Sequence, residues 1–275
     1  MSASMIKADH AGWLWSAYET LAMGLGLGVF ALACLIWLPL ALPAYRLLPR
    51  RRGQWLGRSV ARFAFHGYLG FLGRVCGCRF DLAELDGLRD DGPLILVANH
   101  PSLLDAVLIL SRVPNTVCVM KAALMDNLLL GAAARLARFI RNDHPLSMFI
   151  EAGEQLAEGT KLLIFAEGTR TRNFPLERCQ PTTGLLARRS KVAVQTLLIE
   201  FSTPYLGKNW PLFKRPALPL LCRVRLGCRF DPPENAAAFT AELEQYFRGE
   251  LAGTTSEKAS DSIFTPQWQN SANVG

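Results

Sequence analysis

A histidine followed five residues later by an aspartate can form a general base and its orienter. Here the pair is His100 and Asp105, within Asn99-His100-Pro101-Ser102-Leu103-Leu104-Asp105. A neutral imidazole needs an acceptor on one nitrogen to hold its tautomer, which leaves the other free to take a proton. Asp105 supplies that acceptor if the backbone between them turns tightly. Such chemistry needs no serine nucleophile, and Ser102 lacks the Gly-x-Ser-x-Gly elbow of a serine hydrolase. Two other stretches carry matching groups. Glu167-Gly168-Thr169-Arg170 joins a glycine that permits close approach to an arginine that can fork onto a phosphate or carboxylate. Ile140-Arg141 adds a second cation. A base beside cations suits an alcohol acceptor carried on an anionic headgroup.

These groups need elements to position them. Residues 93–98 (PLILVA) are apolar and β-branched, the pattern of a buried strand that delivers Asn99 and His100 to its carboxyl end. Pro101 suits the first turn of a helix continuing through 103–110. Residues 161–165 (KLLIF) form a second buried strand, ending just before Glu167. Further strands are expected at the start of 79–88 and over 117–121, 192–201 and 222–230. Helices are expected over 128–139, 148–157, 185–189 and 235–251. Strands and helices alternating over 79–251 predict one α/β domain. In such sheets the loops at the carboxyl ends of the strands gather the active site.

The flanks point to a membrane. Half of the 275 residues are hydrophobic, and the mean hydropathy is +0.17. Residues 1–19 are polar and mixed, with Trp13, Trp15 and Tyr18 clustered at the end. Residues 21–45 carry no charge, and about 20 such residues span a bilayer core. A membrane helix is therefore expected over 20–45, broken late by Pro39 and Pro43. The alternatives are insertion into one leaflet or a cleaved signal. Between Arg46 and Arg79 lie eight arginines and no acid, so this block carries +8 of a net +7. So local a block suits an anionic membrane surface rather than nucleic acid. By the positive-inside rule it puts the catalytic region on the cytoplasmic side of the inner membrane. Residues 46–78 read as one or two basic interfacial helices, with Arg58 and Arg62 facing headgroups. Residues 252–275 are rich in Ser, Thr, Gln and Asn and read as a disordered tail. Seven cysteines without framework spacing read as reduced thiols, and Cys76-x-Cys78 lacks the second pair a zinc site needs.

From about Arg79 to Phe230 the chain resembles the glycerolipid acyltransferases, the 1-acylglycerol-3-phosphate acyltransferases and their relatives. The family's His-x4-Asp box matches at His100 and Asp105. Its Phe-Pro-Glu-Gly-Thr-Arg box matches at Phe165, Glu167, Gly168, Thr169 and Arg170, with Ala166 in place of proline. Its arginine-bearing block matches Phe139, Ile140 and Arg141. The resemblance implies a single mixed-sheet α/β domain flanked by helices behind a membrane helix. It implies that His100 deprotonates the acceptor hydroxyl, oriented by Asp105, for attack on an acyl-CoA or acyl-carrier-protein thioester. Arg170 and Arg141 would hold the acceptor's phosphate, with Glu167, Gly168 and Thr169 in the same substrate-binding loop. Neither metal nor cofactor is implied beyond the acyl donor. Two departures bear on the acceptor. The family's Val-Pro-x-x-Pro-Val box reads VAVQTL at 192–197, and the segment 178–184 keeps a glycine but lacks lysines. A non-phosphate acceptor, as in ornithine lipids or aryl-polyene lipids, therefore stays open, as does a non-catalytic lipid-binding protein.

Overall fold

The structure, a computed structural model, describes residues 3–173, 175–211 and 214–260. Two helices, α1 (Ala3–Leu47) and α2 (Arg50–Val75), precede the sheet domain. The domain runs β1 (Cys78–Asp81), a 3-10 turn (Ala83–Leu88), β2 (Ile95–Ala98), α3 (Asp105–Arg112), β3 (Thr116–Met120) and α4 (Ala122–Asp126). It continues through α5 (Leu128–Ala137), β4 (Ile140–Arg141), α6 (Pro145–Ala157), β5 (Lys161–Phe165) and α7 (Thr182–Ser190). Strands β6 (Val194–Phe201) and β7 (Leu220–Phe230) and helix α8 (Ala236–Ser260) complete it. Helix α8 thus runs nine residues past the boundary expected at Leu251, and residues 261–275 of the expected tail lie outside the described residues.

The seven strands are ordered β1-β7-β6-β2-β5-β3-β4. Only β6 and β7 pair antiparallel; the other neighbours are parallel, so the sheet is mixed. The chain leaves β2 toward β3 on one side and leaves β5 toward β6 on the other. The order therefore reverses between β2 and β5, where an open α/β sheet leaves a crevice at its carboxyl edge. Both faces are covered, which is why β2 and β5 read as continuous apolar runs. Leu96, Ala98, Leu163 and Leu197 pack under α2 and α3. Ile95, Val97, Leu162 and Ile164 pack under α6, α7 and α8 on the other face.

Helix α1 is longer than the membrane segment read from the sequence and passes unbroken through Pro39 and Pro43. Packing around the prolines compensates: Ala41 is fully buried against Ala132 and Leu136 of α5, with Trp37, Leu38, Ala44 and Tyr45 beside it. Nearer its start, Ala22 and Met23 are buried in the main core, and the Tyr18 hydroxyl donates to the Val75 carbonyl at 2.9 Å. From Tyr18 to Tyr45 the helix thus follows the domain for about 40 Å. Its other face is bare, with Leu21, Leu25, Leu32, Leu35, Ile36 and Leu40 exposed.

The block 46–78 folds as one main helix, and Arg58 does not face headgroups. Its guanidinium is buried, donating to the Ala137 carbonyl (3.1 Å), Asn115 Oδ1 (2.7 Å), Thr160 Oγ1 (3.1 Å) and Gln155 Oε1. The i,i+4 spacing with Arg62 marked a helix face, but the face that turns inward was set by Gly57. A Cβ there would lie 2.6 Å from Ala137 N and 2.7 Å from Leu136 C of α5. Gly57→Ala should therefore push α2 off α5 and lower stability by about 1–3 kcal/mol. A thermal midpoint in detergent equal to that of the wild type would show that the helices are free to separate there.

Candidate active site

β2 ends at Ala98, and the next residue anchors the loop that carries His100. The Asn99 side chain is buried and pairs like a backbone unit with β6, donating to the Ile199 carbonyl (2.9 Å) and accepting from Ile199 N (2.8 Å). His100 follows, and then the chain bends through Pro101 and Ser102. The helix begins only at Asp105, so Pro101 lies in the bend and not in a first turn. The bend is closed by side chains: Asp105 Oδ2 accepts from Ser102 N (2.8 Å), and Ser102 Oγ accepts from Leu104 N (3.1 Å). Ser102 is fully buried and spent in this turn.

The same Asp105 Oδ2 lies 2.8 Å from His100 Nδ1. A carboxylate only accepts, so Nδ1 carries the proton and Nε2 presents its lone pair. Nε2 has no hydrogen-bond partner among the described residues, and the imidazole is 16% exposed. Its flat face stacks on Phe165, with centroids 3.7 Å apart and planes at 9°. Phe165 ends β5 in register with Ala98 of β2, which puts the ring directly beside the histidine.

Asp105 is wholly buried, and its second oxygen, Oδ1, has no partner. Burial pushes its carboxyl up to about 6, against the hydrogen bond and charge of His100, which pull it down. An acid whose folded pKa lies above its unfolded value holds its proton longer when folded. Its ionisation therefore withdraws stability as pH rises from about 4 to about 6. Between pH 7 and pH 4, the thermal midpoint of the wild type should gain on that of Asp105→Asn. Over the same range kcat/KM should fall as the pair takes up a proton, with apparent values belonging to the pair. Parallel midpoints for the two proteins would refute the raised carboxyl.

The Glu167 loop locks onto the His100 loop. Glu167 is buried, and both its oxygens are engaged by the protein. Oε1 accepts from His100 N (2.9 Å) and Thr171 Oγ1 (2.6 Å), and Oε2 from Glu177 N (2.9 Å). Thr171 N in turn donates to the His100 carbonyl (2.8 Å). Gly168 has a φ of +66°, a conformation that favours glycine. Arg170 Nη1 donates to the carbonyls of Leu206 (2.9 Å) and Gly207 (2.8 Å), tying down the loop between β6 and β7. Thr169 Oγ1 accepts from Lys208 Nζ of that loop at 2.8 Å.

Arg141 is not part of this cluster. It ends the edge strand β4, three positions and about 14 Å across the sheet from β2. It is paired there with Asp126 (2.6 Å) and Asp143 (2.7 Å). Its hydrogen bonds hold both carboxyls below their ordinary value. The cations that gather on the Glu167 side are instead Arg170, Arg172 and Lys121, each within electrostatic reach of Lys208. Lys121 directly follows β3, and its place after a strand was the one available signal. Phe165 was visible only as a position of the matched box, and Lys208 carried no signal, because only the tertiary fold brings its loop to Thr169. The grouping of a base, its orienter and uncompensated cations at one sheet edge can deprotonate a hydroxyl on an anionic molecule.

Residues 79–200 match the family model described as Acyltransferase. The chain is similar in fold to the crystal structure of the 1-acyl-sn-glycerophosphate (LPA) acyltransferase PlsC from Thermotoga maritima. The TM-score is 0.63 at 18% identity, over 84% of this chain and 95% of that chain. No curated protein sequence matches the chain.

Proposed function

We propose that the chain, whose residues 79–200 match the Acyltransferase family model, is an O-acyltransferase that acylates a lysophosphatidate-like lipid with His100 as general base. The observation that carries the reading is the 2.8 Å bond from His100 Nδ1 to Asp105, which leaves Nε2 unprotonated beside a set of cations. Nε2 takes the proton of the acceptor hydroxyl as its oxygen bonds to the thioester carbonyl carbon. The carbon–sulfur bond then breaks, and the proton passes to the departing thiolate of coenzyme A or of an acyl-carrier protein. Asp105 holds the imidazole in one tautomer and stabilises it when charged. Phe165 fixes the ring's plane. Glu167 and Gly168 shape the loop, and Arg170 sets the position of residues 206–208.

The membrane reading follows from α1. Its exposed apolar face enters the bilayer, while its inner face stays on the domain from Tyr18 to Tyr45. A helix bound to its own domain over that length lies in one leaflet with the domain against the surface. The arginine-rich block then faces the anionic cytoplasmic leaflet. The test is thiol release from an acyl-CoA or acyl-carrier protein, with mixed vesicles containing lysophosphatidate, lyso-ornithine lipid or a neutral monoacylglycerol. Acylation of lysophosphatidate above the other two supports the reading. Preference for an uncharged acceptor would overturn the phosphate acceptor, and no thiol release with any of them would overturn catalysis.

A further inference from the structure

Between β6 and β7, residues 202–207 fold back over the carboxyl end of β2. Leu206 O accepts from Leu103 N at 3.0 Å and from Arg170. Two of the loop's non-glycine residues, Leu206 (φ 48°) and Asn209 (φ 61°), sit in the left-handed region. Such conformations cost about 1 kcal/mol each and persist where surrounding structure enforces them. Lys208 lies between these two. Its ammonium donates to Thr169 Oγ1 (2.8 Å) and pairs with no carboxylate among the described residues. The charges around it are Arg172, Lys121 and Arg170, with Glu177 as the acid. Glu177 is itself occupied, accepting from Arg172 N, Asn173 N and Asn173 Nδ2. Partial desolvation and the three like charges hold the Lys208 ammonium below the ordinary lysine pKa. A cation among cations, held in place by a strained loop, is stabilised by an anion.

We infer that Lys208 contacts the acceptor's phosphate and makes this site selective for a phosphate monoester. The inference rests on the acyl-transfer reading above. A phosphate monoester carries close to two negative charges at neutral pH and offers three acceptor oxygens, enough for Lys208 and its neighbours together. Two substrates could bring one: the acceptor lipid, or the 3′-phosphate of coenzyme A. Distance favours the acceptor. Thr169, which holds Lys208, lies two residues from Glu167, which holds His100. A lysophosphatidate bears its phosphate a few bonds from the hydroxyl that must meet His100. The coenzyme A phosphate lies a whole pantetheine arm from the thioester. The loop's other end is fastened to α1: Glu19 accepts from Leu218 N (3.2 Å) and pairs with Arg215 (3.6 Å). The phosphate contact is thus anchored to the element that meets the membrane.

The test uses the full chain in mixed vesicles with lysophosphatidate and acyl-CoA, comparing wild type with Lys208→Gln and Lys208→Arg. Glutamine keeps a donor for Thr169 and removes the charge, so the loop stays held. Lys208→Gln should raise the KM for lysophosphatidate about tenfold to a hundredfold, the worth of a charge-assisted hydrogen bond. The KM for acyl-CoA should stay within about twofold, and Lys208→Arg should recover most of the loss. An unchanged KM for lysophosphatidate, in a wild type that acylates it, overturns the role of Lys208 and leaves the function standing. A rise in the KM for acyl-CoA instead assigns the site to the donor and overturns the inference. A wild type that does not acylate lysophosphatidate overturns both. If Lys208→Gln lowers the thermal midpoint, the wild-type KM for lysophosphatidate is read against salt instead: a rise with ionic strength supports the ionic contact, and a KM indifferent to salt overturns the inference.

Discussion

His100→Ala is expected to abolish acyl transfer, a loss of at least about a hundredfold to ten-thousandfold in kcat, the usual contribution of a positioned base. The protein should still fold and still bind vesicles. The imidazole lies on Phe165 at the mouth of the site, not in either main core, so its removal opens space toward solvent. The one buried group left without its partner is Asp105. That carboxyl is already raised to about 6 by burial, and without the histidine it keeps its proton and stays neutral. Thiol-release rates, with circular dichroism and vesicle co-sedimentation as controls, check the prediction. Turnover near the wild-type level in a folded His100→Ala protein would end the base assignment. Asp105→Asn should also lose activity, though less completely, because an amide can present a donor to Nδ1 and favour the wrong tautomer.

Glu167→Ala is expected to be the most destabilising change in the site. It removes the acceptors of three donors at once: His100 N, Thr171 Oγ1 and Glu177 N. Each buried donor left unmade costs about 1–3 kcal/mol, so the total is about 3 kcal/mol or more. Activity should fall with it, because Glu167 holds the backbone of His100, the proposed base. Glu167→Gln should be intermediate, since its amide nitrogen must face one of the donors. The measurement is the thermal midpoint of each variant together with its kcat. A Glu167→Ala protein as stable as the wild type would show that the loops hold each other by other means.

These two residues show what kind of feature could be read ahead of the fold. His100 and Asp105 are close in sequence, so a bend at Pro101 and Ser102 suffices to join them, and their spacing announced the pair. The strands before them were legible because a strand buried on both faces must be apolar throughout. Glu167 was visible as part of a box, but its work as a clamp was not. Its partner His100 is 67 residues away, and no local pattern encodes which buried donor a carboxylate will meet. Arg141 misled for the same reason. It lies in β4, the sheet's edge strand, which no local pattern announced, and two aspartates hold it there.

The amino-acid sequence alone determined the alternation of strands and helices, the apolar first helix, the arginine-rich block and the pairing of His100 with Asp105. All of these rest on periodicity, composition or contacts within a few residues. Only the tertiary structure decided which cations gather at Lys208, which face of α2 turns inward, and how α1 lies on the domain. Those outcomes depend on strand order and on helix crossings. Gly57 lets α2 approach α5, and the return of β6 beside β2 carries Lys208 to Thr169. Such long-range packing is set by the whole core together, and no short stretch of chain contains it.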